Sequence, residues 1–491
     1  MSGRTSSCII DTISDWYEVF SLVCVAVLVC ATLAFGRGFS MLGLNILGIR
    51  IYVTELVILL TAPLIIVRGR RLLSMPTEIL VCMSLYFLFG AAHEIYALSH
   101  GYMRALRDVF VFEYVLFAPL CFIFYEKFKK SHLIIQCLVL ANVISIISNF
   151  AVFVGFRDTV FNVFVMSTKA YISGLFCVFF LNFYIFKLLS VQEIRKRYFF
   201  IIIAGFNLYV AVFLGELTIL LALFFSVSVW LTLYGKRVLK IFLCILFVFS
   251  LCVIALKPFF HDFHDTTEHK IYSALESIYS AADYATVTMP EMTTDTVYRE
   301  TDGHYDVIMD KLSIDDAYPT VFRNKFFRYL VFSDEKRRGL NSLVWRLDIW
   351  WQTFIYSLEH PVLGNGFGTN IDYMVWGIRS DHEADGQPPL IPVHNCWLTI
   401  FYKTGAIGLL LFLLIHIFVL LHLKNYLKKT SSGEEELLSS VFLCLLLGTW
   451  HVVAFLFDSF DSPPSSIFLW IILGLFVGVY NVINNLEEHS G

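Results

Sequence analysis

About twelve stretches of this 491-residue chain are apolar for long enough to cross a bilayer, which takes about 20 residues of helix, and nothing else in the sequence restricts the fold as much. They lie near 17–35, 51–67, 77–98, 106–125, 132–155, 170–190, 198–215, 217–234, 239–256, 396–422, 437–457 and 466–483. With 58% apolar residues, 15% charged residues and a mean hydropathy of +0.72, the chain carries far more apolar surface than one soluble core can bury. An all-α polytopic membrane protein is the expected class. The first run, Tyr17 to Phe35, is longer than a signal-peptide core and reads as a retained anchor.

The loops between runs give the sidedness. With the N-terminus inside, alternate loops read Arg68-Gly69-Arg70-Arg71, Glu126-Lys127-Phe128-Lys129-Lys130, Arg195-Lys196-Arg197, Gly235-Lys236-Arg237 and Lys424 to Lys429. Each is basic, as cytoplasmic loops are. The long polar segment near 257–395 then lies outside, between the ninth and tenth runs. The chain divides into 1–256 with nine spans, 257–395 as an outer loop with interfacial helices, and 396–491 with three spans.

That outer segment is acidic from Pro258 to Asp316 and turns basic from Arg323, with Lys325, Arg328, Lys336, Arg337 and Arg338 interleaved among Phe322, Phe326, Phe327, Tyr329 and Phe332. Basic and aromatic residues mixed in this way suit a helix at the lipid headgroups; an ordinary solvent-exposed amphipathic helix has the same pattern. From Arg346 to Glu359, Leu347, Trp350, Trp351, Phe354, Ile355 and Leu358 recur at helical spacing, and His360-Pro361 ends the run. Gly364-Asn365-Gly366-Phe367-Gly368 follows as a tight turn. His394 then stands at the mouth of the tenth run, next to Asn395, a favoured helix N-cap.

Charge at membrane depth is costly and marks candidates for function. Near the outer face these are Arg104, Arg107, Asp108, Arg157, Lys169, Glu216, Arg346 and His394. Each has a structural reading, such as snorkelling for Arg104 and Arg107 or helix pairing for Glu216. Arginine is also the side chain suited to diphosphate, and histidine the commonest general base near neutral pH. Glu55, His93, Glu94 and Glu113 are embedded polar groups that fit helix-to-helix bonding or a proton relay. His261, His264 and His269 with Asp262 and Asp265 lack a second ligand set for a metal. Most of the eleven cysteines fall inside apolar runs, no disulfide framework emerges, and nothing indicates a nucleic-acid face.

Three features together resemble the O-antigen ligase and O-antigen polymerase superfamily of bacterial membrane glycosyltransferases, of the GT-C type. One is the topology. Another is Arg346-Leu347-Asp348-Ile349-Trp350 followed by His360-Pro361-Val362-Leu363-Gly364-Asn365-Gly366-Phe367-Gly368, which is similar to the family's arginine helix and its HPxxGxGxG turn. The third is His394-Asn395, nine residues, then Gly405-Ala406-Ile407-Gly408, which resembles the family's histidine motif.

The resemblance implies a multi-pass inner-membrane enzyme, inverting and metal-independent, without a cofactor. Its donor would be an undecaprenyl-diphosphate-linked glycan and its acceptor a glycan or lipid A core, at the periplasmic face. It implies His394 as the group acting on the acceptor hydroxyl and Arg346 as a holder of the diphosphate, with Arg104, Arg107, Arg157, Glu216 and Asn395 on the substrates. The chain departs from the family at Phe213-Leu214-Gly215-Glu216-Leu217, where many members carry an arginine; Arg104, Arg107 or Arg157 would then supply the second diphosphate contact. Polymerase, ligase and protein O-oligosaccharyltransferase share this architecture, and polymerase is favoured because the outer loop is long. A flippase and a chain-length regulator are the implied partners besides membrane lipids. A multi-helix transporter is the rival from another class; its halves should repeat around a central loop, whereas the long loop here follows the ninth run.

Overall fold

In the computed structural model, the residues described are 3–35, 39, 42–46, 49–100, 112–130, 132–153, 170–213, 217–256, 338–369, 374–375, 378–379, 393–429, 434–456 and 463–488. The apolar runs fold as helices: α1 (Gly3–Phe35), α2 (Val53–Thr61), α3 (Pro63–Val67), the short α4 (Gly69–Leu72), α5 (Thr77–Ser99), α6 (Phe117–Lys130), α7 (His132–Phe153), α8 (Ala170–Ser190), α9 (Ile194–Phe213), α10 (Leu217–Tyr234) and α11 (Lys236–Leu256). After the outer segment come α12 (Arg338–Ser357), α13 (Cys396–Lys429), α14 (Glu434–Leu456) and α15 (Pro463–Glu488). Two small antiparallel hairpins, β1 (Gly43–Ile46) with β2 (Ile49–Tyr52) and β3 (Met374–Val375) with β4 (Ile378–Arg379), are the described strands.

Local chemistry accounts for the places where helices depart from the apolar runs. The second run begins as strand β2 and breaks at Ala62-Pro63, since proline has no N–H to continue the ladder. The seventh and eighth runs are separate helices, α9 and α10. The acidic stretch with its three histidines and the basic–aromatic stretch up to Arg337 lie outside the described residues.

Apolar side chains lie both in the interior and on the surface of the bundle. Phe224 and Ile254 are 73% and 72% exposed on the outer surface of the bundle, while Trp230, Trp450, Trp470 and several asparagines are buried. In hydrocarbon, apolar side chains gain little by hiding, so helices associate through close packing and polar contacts. Asn142 and Asn207 exchange hydrogen bonds of 2.9 and 2.8 Å between α7 and α9, and Tyr184 Oη of α8 joins them at 2.8 Å. Asn182 Nδ2 donates to Ser226 Oγ at 3.1 Å, Trp230 Nε1 donates to Asn182 Oδ1 at 2.8 Å, and Ser226 meets Thr449 at 2.9 Å, which ties α8, α10 and α14 together. At Gly474 a Cβ would come within 2.2 Å of the Ala118 carbonyl oxygen, so α15 and α6 touch backbone to backbone. Five described helices are long and apolar enough to span a bilayer, and six shorter apolar ones pack with them.

Ion pairs draw two of the basic loops together at one end of the bundle. Buried Glu18 of α1 receives Arg68, Arg71 and Lys127 at 2.8, 2.8 and 2.9 Å, so two of the basic loops share one end. His422 approaches Glu78 and Asn481 donates to Ser74 at that same end. The motif-bearing residues gather at the opposite end.

Candidate active site

Three pieces of chain meet at this second end: α12, the turn after it, and the start of α13. α12 buries Ile349, Gln352, Thr353 and Ser357, and Phe354, Ile355 and, just after the helix, Leu358 are exposed. The later half of the apolar stripe visible in the sequence therefore faces outward, while Trp350 turns toward the histidine segment. The face turned to α13 is small and polar. Its hydroxyls can be buried because each returns a hydrogen bond to its own helix, Thr353 to the Ile349 carbonyl and Ser357 to the Thr353 carbonyl, both at 2.7 Å.

Arg346 sits half-buried on α12, and one turn later Trp350 reaches across to the histidine segment. Trp350 Nε1 donates to the Val393 carbonyl at 2.9 Å, and its ring packs edge-on against Phe455 of α14 with centroids 5.4 Å apart. Val393 immediately precedes His394, so this bond couples the arginine helix to the histidine segment.

His394 has φ of +53°, and among the described residues it is the one non-glycine residue with positive φ. That left-handed conformation is uncommon for a residue with a Cβ and costs of the order of 1–3 kcal/mol, a cost that surrounding contacts must offset. Asn395 supplies part of that support. Its Oδ1 accepts from Leu398 N–H at 3.1 Å as the N-cap of α13, and its Nδ2 donates to the Phe455 carbonyl at 3.2 Å. The capping role expected of Asn395 is thus present in full, and both ends of its amide are engaged with the protein.

The glycine turn docks into a break in α13. At Gly405, φ 63° and ψ −163° interrupt the helix, and carbonyls and amides beside the break lose their intrahelical partners. The turn supplies partners for four of them. Asn365 N–H and Gly366 N–H donate to the Tyr402 and Lys403 carbonyls at 2.8 and 3.0 Å; Ala406 N–H and Ile407 N–H donate to the Pro361 and Val362 carbonyls at 2.8 and 3.3 Å. The two motifs read separately in the sequence form one interlocked unit.

From that turn Phe367 points into the bundle, almost fully buried, with its ring 5.2 Å from Phe112 and 5.6 Å from His93 of α5. Neither Phe367 nor Trp350 stands out as a tie between segments in the sequence, because both lie in aromatic-rich stretches. Arg104, Arg107, Asp108, Arg157, Lys169 and Glu216 lie outside the described residues. Among the described residues, no group of three or more His, Cys, Asp or Glu side chains could hold a metal ion.

A family profile described as O-Antigen ligase matches residues 199–413. Over those residues the chain is similar to the O-antigen ligase family. The matched stretch runs from α9 into α13 and contains Arg346, the docked glycine turn, His394 and Gly405. The similarity agrees with the apolar helices of the bundle, five of which are long and apolar enough to cross a membrane among the described residues. No curated protein matches the chain.

Proposed function

We propose that the chain elongates a surface polysaccharide by transferring a glycan from an undecaprenyl-diphosphate carrier to the hydroxyl of a second glycan, at the periplasmic face. The observation that carries this is the Trp350–Val393 bond, which joins the Arg346 helix to a backbone-strained His394. Strain of this kind persists where the neighbouring structure over-determines it, commonly at functional sites.

The reaction is one displacement. The acceptor oxygen attacks the anomeric carbon as its proton passes to the His394 imidazole, and the bond from that carbon to the diphosphate oxygen breaks. The electron pair leaves on the diphosphate, and a single displacement inverts the anomeric centre. Arg346 offsets the charge that develops on the leaving group, and a fixed guanidinium in a low-dielectric site does this without reorganising. A base held on the acceptor contributes about 10²–10⁴-fold. Arg104, Arg107 or Arg157 supplies the second diphosphate contact, and Glu216 acts on the acceptor. The protein needs no metal in this scheme, because arginines carry the leaving-group charge.

A second reading, transfer of finished glycan to lipid A core, is favoured by the description of the matching family as a ligase. Glycan gels of a deletion strain separate the two. Loss of a polymerase leaves single repeat units on the surface acceptor, whereas loss of a ligase leaves long chains on the lipid carrier. For the chemistry, purified protein in lipid nanodiscs is given lipid-linked repeat units; His394→Asn and Arg346→Gln should each lower transfer by about 10²-fold or more, and full transfer by either variant would remove that residue from the site.

A further inference from the structure

Buried within the bundle, α5, α13, α14 and α15 bring together a group of aromatic rings with polar atoms that glycan transfer does not use. His416 of α13 lies between Phe412, at 4.4 Å, and His451 of α14, at 4.8 Å between ring centroids. Trp470 of α15 is 6.5 Å from His416, and Tyr86 of α5 is 5.7 Å from Trp470. Tyr86 and Trp470 are completely buried and His416 is 5% exposed. Tyr86 Oη, His416 Nε2, His451 Nδ1 and Trp470 Nε1 are all buried without a hydrogen-bond partner among the described residues.

The tautomer of His416 is fixed by its other nitrogen. Nδ1 lies 2.7 Å from the Phe412 carbonyl, which can only accept, so Nδ1 carries the proton and Nε2 presents a lone pair. Trp470 Nε1 is solely a donor. An acceptor without a donor and a donor without an acceptor thus stand on neighbouring rings that share no direct hydrogen bond. The other buried tryptophans differ: Trp230 Nε1 donates to Asn182 at 2.8 Å, and Trp450 Nε1 donates to the Ser465 carbonyl at 2.8 Å.

We propose that His416, His451, Trp470 and Tyr86 form an internal water-binding site within the membrane bundle. Water donates to His416 Nε2 and accepts from Trp470 Nε1–H, and Tyr86 Oη and His451 Nδ1 complete its partners. Buried waters typically make two to four hydrogen bonds to otherwise unsatisfied polar groups, and in a bilayer core no bulk solvent can do this instead. The site adjoins the start of α13, since Trp397, three residues after His394, stacks on His451 with centroids 5.2 Å apart. The inference does not depend on the glycan-transfer reading.

X-ray radiolytic footprinting of the full chain in lipid nanodiscs tests it, with water itself as the probe. Hydroxyl radicals formed from an internal water oxidise the side chains beside it even where bulk solvent is excluded. Trp470 should be oxidised several-fold faster than Trp230 and Trp450, which are equally buried but satisfied by protein. Equal, slow oxidation of all three tryptophans would overturn the proposal. In His416→Phe, Trp470 should fall to the rate of the other two; a rate unchanged in a folded variant would remove His416 from the site. If that variant does not fold, the comparison of tryptophans in the wild-type protein still decides.

Discussion

Gly364 and Gly405 face each other backbone to backbone. A Cβ built on Gly364 would lie 2.4 Å from the Thr404 amide nitrogen, and one built on Gly405 would lie 2.4 Å from the Val362 carbonyl oxygen. Both have positive φ, 76° and 63°. Two constraints therefore act at each position: the conformation disfavours a side chain, and the facing backbone leaves no room for one.

Those two constraints can be separated with a third glycine. Gly366 also has positive φ, at 87°, yet nothing lies within 4 Å of where its Cβ would be. Gly366→Ala should cost only the conformational term, about 1–2 kcal/mol. Gly364→Ala and Gly405→Ala should cost roughly 3 kcal/mol or more, because rigid backbone must also move. Thermal unfolding in detergent should rank them so, with transfer activity following the same order. Equal losses at all three glycines would contradict the docked arrangement.

Trp350→Phe keeps an aromatic ring against Phe455 and removes the donor to the Val393 carbonyl. The lost bond costs stability by about 1 kcal/mol. If that bond sets the histidine segment against the Arg346 helix, kcat should drop by more than stability does. Single-turnover transfer measured at saturating donor is the check, and a variant with unaltered kcat would make Trp350 a packing residue alone.

Asn395 allows its two contacts to be counted. Asn395→Asp retains an oxygen for the Leu398 N–H and loses the donor to the Phe455 carbonyl; Asn395→Ala loses both. Removing a cap typically costs about 1 kcal/mol. The expected order of melting temperature is Asn, then Asp, then Ala, and a substrate-binding role would instead appear as a raised KM at unchanged stability.

The helical membrane class, and the shared end of the loops carrying Arg68, Arg71 and Lys127, were legible in the sequence because long apolar runs and positive loops report solvent directly. Arg346 and His394 were legible as candidates because charge at a bilayer face is costly. The docking of the glycine turn into α13 was not, although both glycine clusters were visible. Pairing Gly364 with Gly405 requires knowing that a helix breaks at a glycine inside an apolar run, and periodicity is blind to a single residue. The face that α12 buries was hidden for a related reason. Its stripe of Phe354, Ile355 and Leu358 marks an apolar environment, and in a membrane protein that environment can be lipid as readily as protein core.

Phe367 anchors the docked turn to α5 through His93 and to Phe112. Phe367→Ala should destabilise by about 3–5 kcal/mol, the range for emptying a buried phenylalanine site, whereas Phe367→Leu should cost less because it refills most of the volume. Both are read as shifts in the unfolding midpoint. Midpoints unchanged in the alanine variant would mean that the turn holds through its backbone bonds alone.

At His394 the backbone conformation and the imidazole make opposite predictions. Glycine adopts φ of +53° without penalty, so His394→Gly should relieve strain of about 1 kcal/mol, offset in part by the packing it removes. Asparagine tolerates the same conformation while keeping a polar side chain. If the imidazole acts as the base, both variants should fold and melt near the wild-type temperature while transfer falls by about 10²–10⁴-fold, with imidazole added in solution restoring part of it in His394→Gly. If the residue serves only to turn the chain into α13, both variants should retain transfer, since both keep the turn. Folded variants with wild-type rates would therefore leave Arg346 without its partner and the proposed reaction without a base.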